Sequence, residues 1–397
     1  MTDDLTRMLW VYGPPGVGKT TVAWEIYAAL ATSGDDVGYV DIDQLGMCFP
    51  EPAGDPGRYR LAAENLGAVV AGYRAAGARA VVVSGVVDPA RGAPVDLIPD
   101  VVVTMCRLRA DADVLTGRLV ARLGNHDTVP QALAEAEALD ANNVGDLCVD
   151  TTGLPVDQVV RLVEERTAGW TDRAPSAAPG TAAEPRTGAD ATEGPILWLC
   201  GASGVGKSTV GFHLYLRHVL GRGIPGAFVD LDQIGFYRPA SSDIRVDHGM
   251  RARILAALWR NFRAAGARCL TVVGPAESSA AISTYAQAMP AATVTACRLH
   301  AEPDELTRRI MLRGEGGSWA QPGDPLKGQP AVHLSSVAER AVADAALLDR
   351  AAVGDVRVDA GQRTVEEVAA AVIAETGWPT VRPAQGRPGG GDRRQGA

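Results

Sequence analysis

Short, uninterrupted apolar runs recur along the chain, separated by longer segments in which apolar positions fall at helical spacing. Leu9–Tyr12 and Leu197–Cys200 each stop at a glycine-rich loop. Val81–Ser84 and Leu270–Val273 each follow an Ala-rich segment that closes on "RAAGAR" or "RAAGARC". Val101–Leu108 and Thr293–Leu299 are further runs of the same kind, and "VGDLCVD" (144–150) reads as the last strand of the first half. A run that is apolar throughout, without polar alternation, suits a strand covered on both faces. Strands alternating with helices therefore predict an α/β fold, a parallel sheet with helices on both sides.

The pattern is written twice. "LWVYGPPGVGKTTVAWEIY" (9–27) matches "LWLCGASGVGKSTVGFHLY" (197–215), and "YVDIDQLG" (39–46) matches "FVDLDQIG" (228–235). "YRAAGARAVVVSG" (73–85) pairs with "FRAAGARCLTVVG" (262–274), and "VTMCRLRADADVLTGRLVAR" (103–122) with "VTACRLHAEPDELTRRIMLR" (294–313). "VGDLCVD" pairs with "VGDVRVD" (353–359), and Gly169-Trp170 with Gly377-Trp378. Matched blocks in one order indicate a tandem duplication. The expected organisation is one domain over 1–170, a flexible Pro/Ala/Gly/Thr-rich linker over 171–195, a second domain over 196–378 and a disordered tail over 379–397.

Composition narrows the class. The 397 residues suffice for two or three full cores, and 46% apolar with 21% charged residues is ordinary for a soluble protein. A net charge of −9 argues against bulk-charge binding to nucleic acid or acidic membranes, though not against small anions. "MTDDLTRMLW" lacks the positive start of a signal peptide, and no apolar stretch reaches spanning length, so a cytoplasmic location is expected. The six cysteines show no C-x-x-C spacing and read as reduced thiols.

The candidate chemistry begins at the glycine loops. Gly13-Pro-Pro-Gly16-Val17-Gly18-Lys19-Thr20-Thr21 and Gly201-Ala-Ser-Gly204-Val205-Gly206-Lys207-Ser208-Thr209 both satisfy G-x-x-x-x-G-K-[ST]. Each follows an apolar strand and opens a helix, the context that this phosphate-binding motif requires. The glycines permit a turn whose N–H groups point at phosphate oxygens, and the next helix adds its positive end. Lys19 and Lys207 are expected to reach the β- and γ-phosphates, with Thr20 and Ser208 as ligands of Mg²⁺. ATP and Mg²⁺ are the expected cofactors; GTP in place of ATP stays open.

Asp41 follows Lys19 by 22 residues and Asp230 follows Lys207 by 23, room for one helix, a turn and a second strand. The acids then fall at the carboxyl end of that strand, where open parallel sheets collect ligands. Here the chain resembles the small-molecule and nucleotide kinase branch of the P-loop proteins: shikimate, gluconate, adenylylsulfate and chloramphenicol kinases. "LWLCGASGVGKST" is especially similar to the opening of adenylylsulfate kinases. The resemblance implies Asp41 and Asp230 near Mg²⁺, and Asp43 and Asp232 at the acceptor hydroxyl, with the two roles exchangeable within each pair. Capping of a turn or helix is the competing role for these acids. Gln44 and Gln233 are repeated beside them, and Asp88 and Glu277 lie just past the third strand. No Asp-Glu pair of the motor-ATPase kind is present.

Beyond the fourth strand the halves diverge. Both carry arginines on a helix, Arg118 and Arg122 in the first half and Arg308, Arg309 and Arg313 in the second. By the same resemblance these begin a lid whose arginines, Arg309 and Arg313 above all, neutralise the transferred phosphoryl group. Leu115 to Leu139 spans 24 positions against 42 from Leu306 to Leu348, so the first lid is shorter. The longer, Gly/Pro-rich segment suits a hinged lid that Lys327 and Arg340 complete. The second acceptor segment, with Arg238, Arg245, Arg251 and Arg253, is more cationic than the first, with Arg58 and Arg60. The reading is a phosphotransferase for a small-molecule acceptor, the second half being the transfer site. A nucleotide-binding regulator is the alternative. No nucleic-acid or membrane partner is expected, and the oligomeric state stays open, pairing of the two halves within one chain being one arrangement.

Overall fold

The computed structural model describes residues 5–142, 147–171, 192–237, 246–316 and 326–379. The expected linker core (172–191), tail (380–397), Arg238, Arg245, the middle of the long lid (317–325) and the side chain of Arg122 lie outside the described residues. In the first half, strands β1 (Thr6–Tyr12), β2 (Val37–Asp41), β4 (Ala80–Gly85), β5 (Val101–Arg109) and β6 (Leu147–Asp150) form a parallel sheet in the order β6-β5-β1-β4-β2. In the second half, β7 (Gly194–Cys200), β8 (Gly226–Asp230), β10 (Cys269–Val273), β11 (Ala292–His300) and β12 (Val356–Asp359) repeat that order as β12-β11-β7-β10-β8. The fold is α/β, and β7 starts two residues before the expected domain start at 196.

Each sheet gains a sixth, antiparallel strand from the other half. β9 (Phe236–Tyr237) pairs with β2, matching Tyr39 with Phe236 and Gly38 with Tyr237. β3 (Cys48–Phe49) pairs with β8 in the corresponding register, Cys48 with Ala227 and Phe49 with Gly226. The exchange is reciprocal, the pattern of a two-fold interface, and it covers a sheet edge on each side. Phe236 sits edge-on to Trp24 and Tyr39, with ring centroids 5.1 and 5.6 Å away.

Helices α2 (Tyr59–Ala75) and α7 (His248–Ala264) pack against each other between the sheets, and one apolar core joins them to the inner faces of both. At one crossing Gly72 lies against Ile254 so closely that any side chain at 72 would collide with it. At the pseudo-symmetric crossing Asn261 donates to Asn65 Oδ1 at 3.0 Å, and Asn65 donates onward to Leu45 O at 2.8 Å. Separate cores fill the outer faces, under α1 (Lys19–Ser33) and α5 (Val156–Arg166) in the first half and under α6 (Lys207–His213) and α11 (Val365–Thr376) in the second. The one-residue longer interval from Lys207 to Asp230 is absorbed in a π-helical turn at Leu214–Val219, which continues α6. Among the described residues no helix is long and apolar enough to cross a membrane.

Candidate functional site

Two crevices open at the carboxyl ends of the strands, each built on a glycine loop. Gly13, Gly16 and Gly18 have φ of 148°, 83° and 102°, and Gly201, Gly204 and Gly206 have 137°, 78° and 101°. Those values place the loop glycines in the left-handed or more extended positive-φ region that other residues resist. A Cβ at Gly13 would strike Leu108 O, and one at Gly201 would strike Leu299 O, so the loops lie tight on the fourth strand. At Gly18, by contrast, nothing lies within 4 Å of a Cβ position, and at Gly206 the nearest atom is Arg309 Nη1 at 3.7 Å. The loops are closed on their strand side and open where an anion would sit. Val17 and Val205 are buried, which limits their part to their amides, and Thr21 is exposed.

The lysines curl over their loops. Lys19 Nζ donates to Pro14 O at 3.2 Å, and Lys207 Nζ donates to Gly201 O and Ala202 O, both at 3.0 Å. Burial pulls the Lys207 ammonium below its ordinary range; Asp232 and Asp230 oppose that, while Arg313 adds to it. An ammonium held down by burial gains from an incoming polyanion.

The repeated acids do meet the loops. Thr20 Oγ1 donates to Asp41 Oδ2 at 3.4 Å and Ser208 Oγ to Asp230 Oδ2 at 2.8 Å. The other oxygen of each acid accepts the amide two residues on, Asp43 N at 3.1 Å and Asp232 N at 2.9 Å. Turn capping and proximity to the phosphate loop are therefore combined in one carboxylate. Burial, with Asp43 beside it, pushes Asp41 up to about 7, although Lys19 works against this. A divalent cation between phosphate, Thr20 or Ser208, and the acid would relieve that penalty. Among the described residues no three or more His, Cys, Asp or Glu side chains group to hold a metal by themselves. The donor set suits Mg²⁺, which keeps its waters and takes substrate phosphate oxygens as ligands.

The second acids have different surroundings. Both are exposed, but Asp43 accepts Val86 N at 3.1 Å, whereas Asp232 is paired with the buried Arg251 at 3.0 Å. Arg251 Nε is buried without a partner among the described residues. His248 bridges Glu277 Oε2 at 2.5 Å and the Tyr285 hydroxyl at 3.2 Å, and its hydrogen bond holds Glu277 below the usual carboxylate range. Asp88 instead caps a turn through Ala90 N and Arg91 N. Gln233 is buried and Gln44 half-buried beside the acids.

The arginines separate into two roles. Arg118 joins Val17 O at 3.2 Å to Thr151 Oγ1 and O at 3.0 and 3.1 Å. Arg309 does the same in the second half, donating to Val205 O at 2.9 Å and Ala360 O at 2.7 Å, with Glu305 at 2.6 Å behind it. Both brace the glycine loop from behind. Arg313 is near enough to Lys207 to lower its pKa. Lys327, His333, Arg340 and Arg60 are exposed, and Arg58 donates to Cys48 O at 2.8 Å.

One contributor has no counterpart in the motif-based reading. Glu135, on α4 (Val129–Asn142), has a buried Oε1 without a partner among the described residues. Burial raises its pKa, Lys19 lowers it and Asp43 raises it, so it faces the first crevice. Its helix reads as an ordinary amphipathic one, and only its fold over the loop gives it away. The first crevice thus gathers Asp41, Asp43 and Glu135 around Lys19, and the second gathers Lys207, Arg251 and Arg313 around Asp230 and Asp232.

No family model and no curated protein matches the chain. Among solved structures, it is similar to the tunicamycin resistance protein of Deinococcus radiodurans at 21% identity, over 41% of this chain and 96% of that one, with a TM-score of 0.32. A gluconokinase from Sinorhizobium meliloti 1021 matches at 21% identity over 41% of this chain and 90% of that one, with a TM-score of 0.28. The shikimate kinase of Bacteroides thetaiotaomicron matches at 18% identity over 40% and 96%, also with a TM-score of 0.28.

Proposed function

We propose that this chain is an ATP- and Mg²⁺-dependent phosphotransferase for a small hydroxyl- or phosphate-bearing acceptor, built from two duplicated units with the second as the transfer site. The observation that carries the reading is the continuous network Ser208–Asp230–Asp232–Arg251 beside Lys207. Bound Mg²⁺ would neutralise the β- and γ-phosphate oxygens, held by Ser208 and, directly or through water, by Asp230. Asp232 would orient the acceptor hydroxyl and take its proton as the acceptor O–P bond forms and the bond from the γ-phosphorus to the leaving nucleoside diphosphate breaks. Lys207 and Arg313 would stabilise charge on the transferred group, while Arg309 keeps the loop in shape.

The first half supports a second role. Among the described residues, three acids around Lys19 oppose the density of negative charge that a triphosphate brings, so this crevice suits a slower transfer or a nucleotide-sensing site. The test is ADP formation from ATP and Mg²⁺ against a panel of sugars, polyols, nucleosides, aminoglycosides and sulfate esters. Acceptor-dependent turnover that EDTA abolishes supports the reading. Tight ATP binding with no turnover on any acceptor favours a regulator.

A further inference from the structure

The acceptor side of the first crevice contains a cavity of about 320 Å³ whose wall is completed by the other half of the chain. Phe212 on α6, Tyr215 on its π-helical continuation and Leu220 in the 3-10 turn that follows line it together with Trp10, Ile42 and Ala62. The space has a readable origin in pairs of equivalent positions. Met47, Cys48 and Ala62 occupy the places that Phe236, Tyr237 and Arg251 fill in the second half. Trp198, the equivalent of Trp10, is covered edge-on by Tyr285 of α8 (Ser279–Ala288) at 4.6 Å and donates its indole N–H to Gly274 O at 3.3 Å. The first half has the irregular segment 86–100 where α8 would be. Trp10 is 1% exposed, and its indole N–H has no partner among the described residues.

Asp43 on the same wall is an acceptor for a hydroxyl, Arg58 adds a cationic donor, and most of the rest is apolar or aromatic. The volume is about twice the ~150 Å³ cavity that holds one benzene ring, enough for two rings or a ring with a short chain. We propose that the first crevice binds a flat, ring-bearing alcohol: the hydroxyl donates to Asp43, and Phe212, Tyr215 and Leu220 of the second half close over the rings. The chemical class of the first half's acceptor thereby differs from that of the more cationic second crevice. This assignment rests on reading the space beside Asp43 as an acceptor site.

The test uses 7-hydroxycoumarin, a fluorescent two-ring probe with one hydroxyl and one carbonyl, titrated against the full chain without nucleotide. The expected result is saturable binding with Kd on the order of 10–100 μM, with coumarin, which lacks the hydroxyl, competing at least about fivefold more weakly. Ala62→Arg copies the second half's side chain into the cavity and should weaken binding at least tenfold. Phe212→Ala and Leu220→Ala, in the other half, should each weaken it about three- to tenfold. Circular dichroism verifies that each variant is folded, and Leu220, at the rim, gives the variant least exposed to folding failure. Absence of saturable binding, or binding indifferent to Ala62→Arg and to both second-half variants, overturns the proposal. Because nucleotide is omitted, probe binding reads the cavity alone: a bound probe with no turnover on any acceptor of the panel sinks only the kinase reading, and acceptor-dependent turnover without probe binding sinks only this cavity assignment.

Discussion

Replacing Asp41 by Asn should stabilise the protein while removing a ligand-binding group, and the structure gives the size of the effect. Asp41 is 4% exposed, and burial with Asp43 nearby pushes it up to about 7. In an unfolded chain an aspartate titrates near ~3.9. Below about pH 4 both states hold the proton and there is no penalty. Between about pH 4 and 7 the unfolded chain has released it while the folded chain keeps it, so stability falls as pH rises. Above 7 the whole penalty applies, about 4 kcal/mol at ~1.4 kcal/mol per pH unit. Asn is nearly isosteric: its Oδ1 accepts Asp43 N–H, and its Nδ2 donates to Thr20 Oγ1 in place of the present bonds. The hydrogen bonds from Asp43 N–H and Thr20 already lower the Asp41 pKa and are contained in that penalty. The gain should be about 4 kcal/mol at pH 8 and roughly 1–2 kcal/mol at pH 5. Urea unfolding followed by circular dichroism at both pH values, without nucleotide or Mg²⁺, measures it. A gain equal at pH 5 and pH 8, or a loss at pH 8, would refute the reasoning.

Three further outcomes follow from the geometry. Phe236→Ala, which empties the aromatic contact that the second half makes with Trp24 and Tyr39, should destabilise the chain by about 2 kcal/mol in denaturant unfolding; under about 0.5 kcal/mol contradicts the strand exchange as a structural tie. Arg313→Ala should lower kcat at least about tenfold with little change in thermal midpoint, whereas Arg309→Ala, which unties Val205 from Ala360, should lower the midpoint and raise KM for nucleotide; the reverse pairing overturns the division of roles. Glu135→Gln removes an acid facing Lys19 and should tighten nucleotide binding in the first half about three- to tenfold by calorimetry; unchanged affinity removes Glu135 from that site.

The glycine loops and the Asp-x-Asp phrases were legible because they are local: a turn, a helix start and an acid at a strand end fix their own geometry. The continuous apolar runs likewise located the parallel strands to within a few residues. The strand exchange was not legible. Cys48–Phe49 and Phe236–Tyr237 are too short to carry a period, and each pairs with a strand nearly half the chain away. The role of Arg309 was hidden for a related reason. Its position on a lid-type helix matches Arg313 in chemistry, and only the fold shows that one side chain turns to Val205 and the other approaches Lys207. Glu135 carries no motif at all. Its significance is an unpaired buried atom, a property of packing that no spacing encodes.

The central claim is that two crevices with the same loop and acids differ in competence because, among the described residues, positive charge collects in the second and negative charge in the first. The most direct measurement is acceptor-dependent γ-phosphoryl transfer by Lys207→Ala and Lys19→Ala, compared under saturating ATP and Mg²⁺. The account predicts at least about a hundredfold loss of kcat for Lys207→Ala and less than about tenfold for Lys19→Ala. Equal losses, or the larger loss from Lys19→Ala, would contradict it.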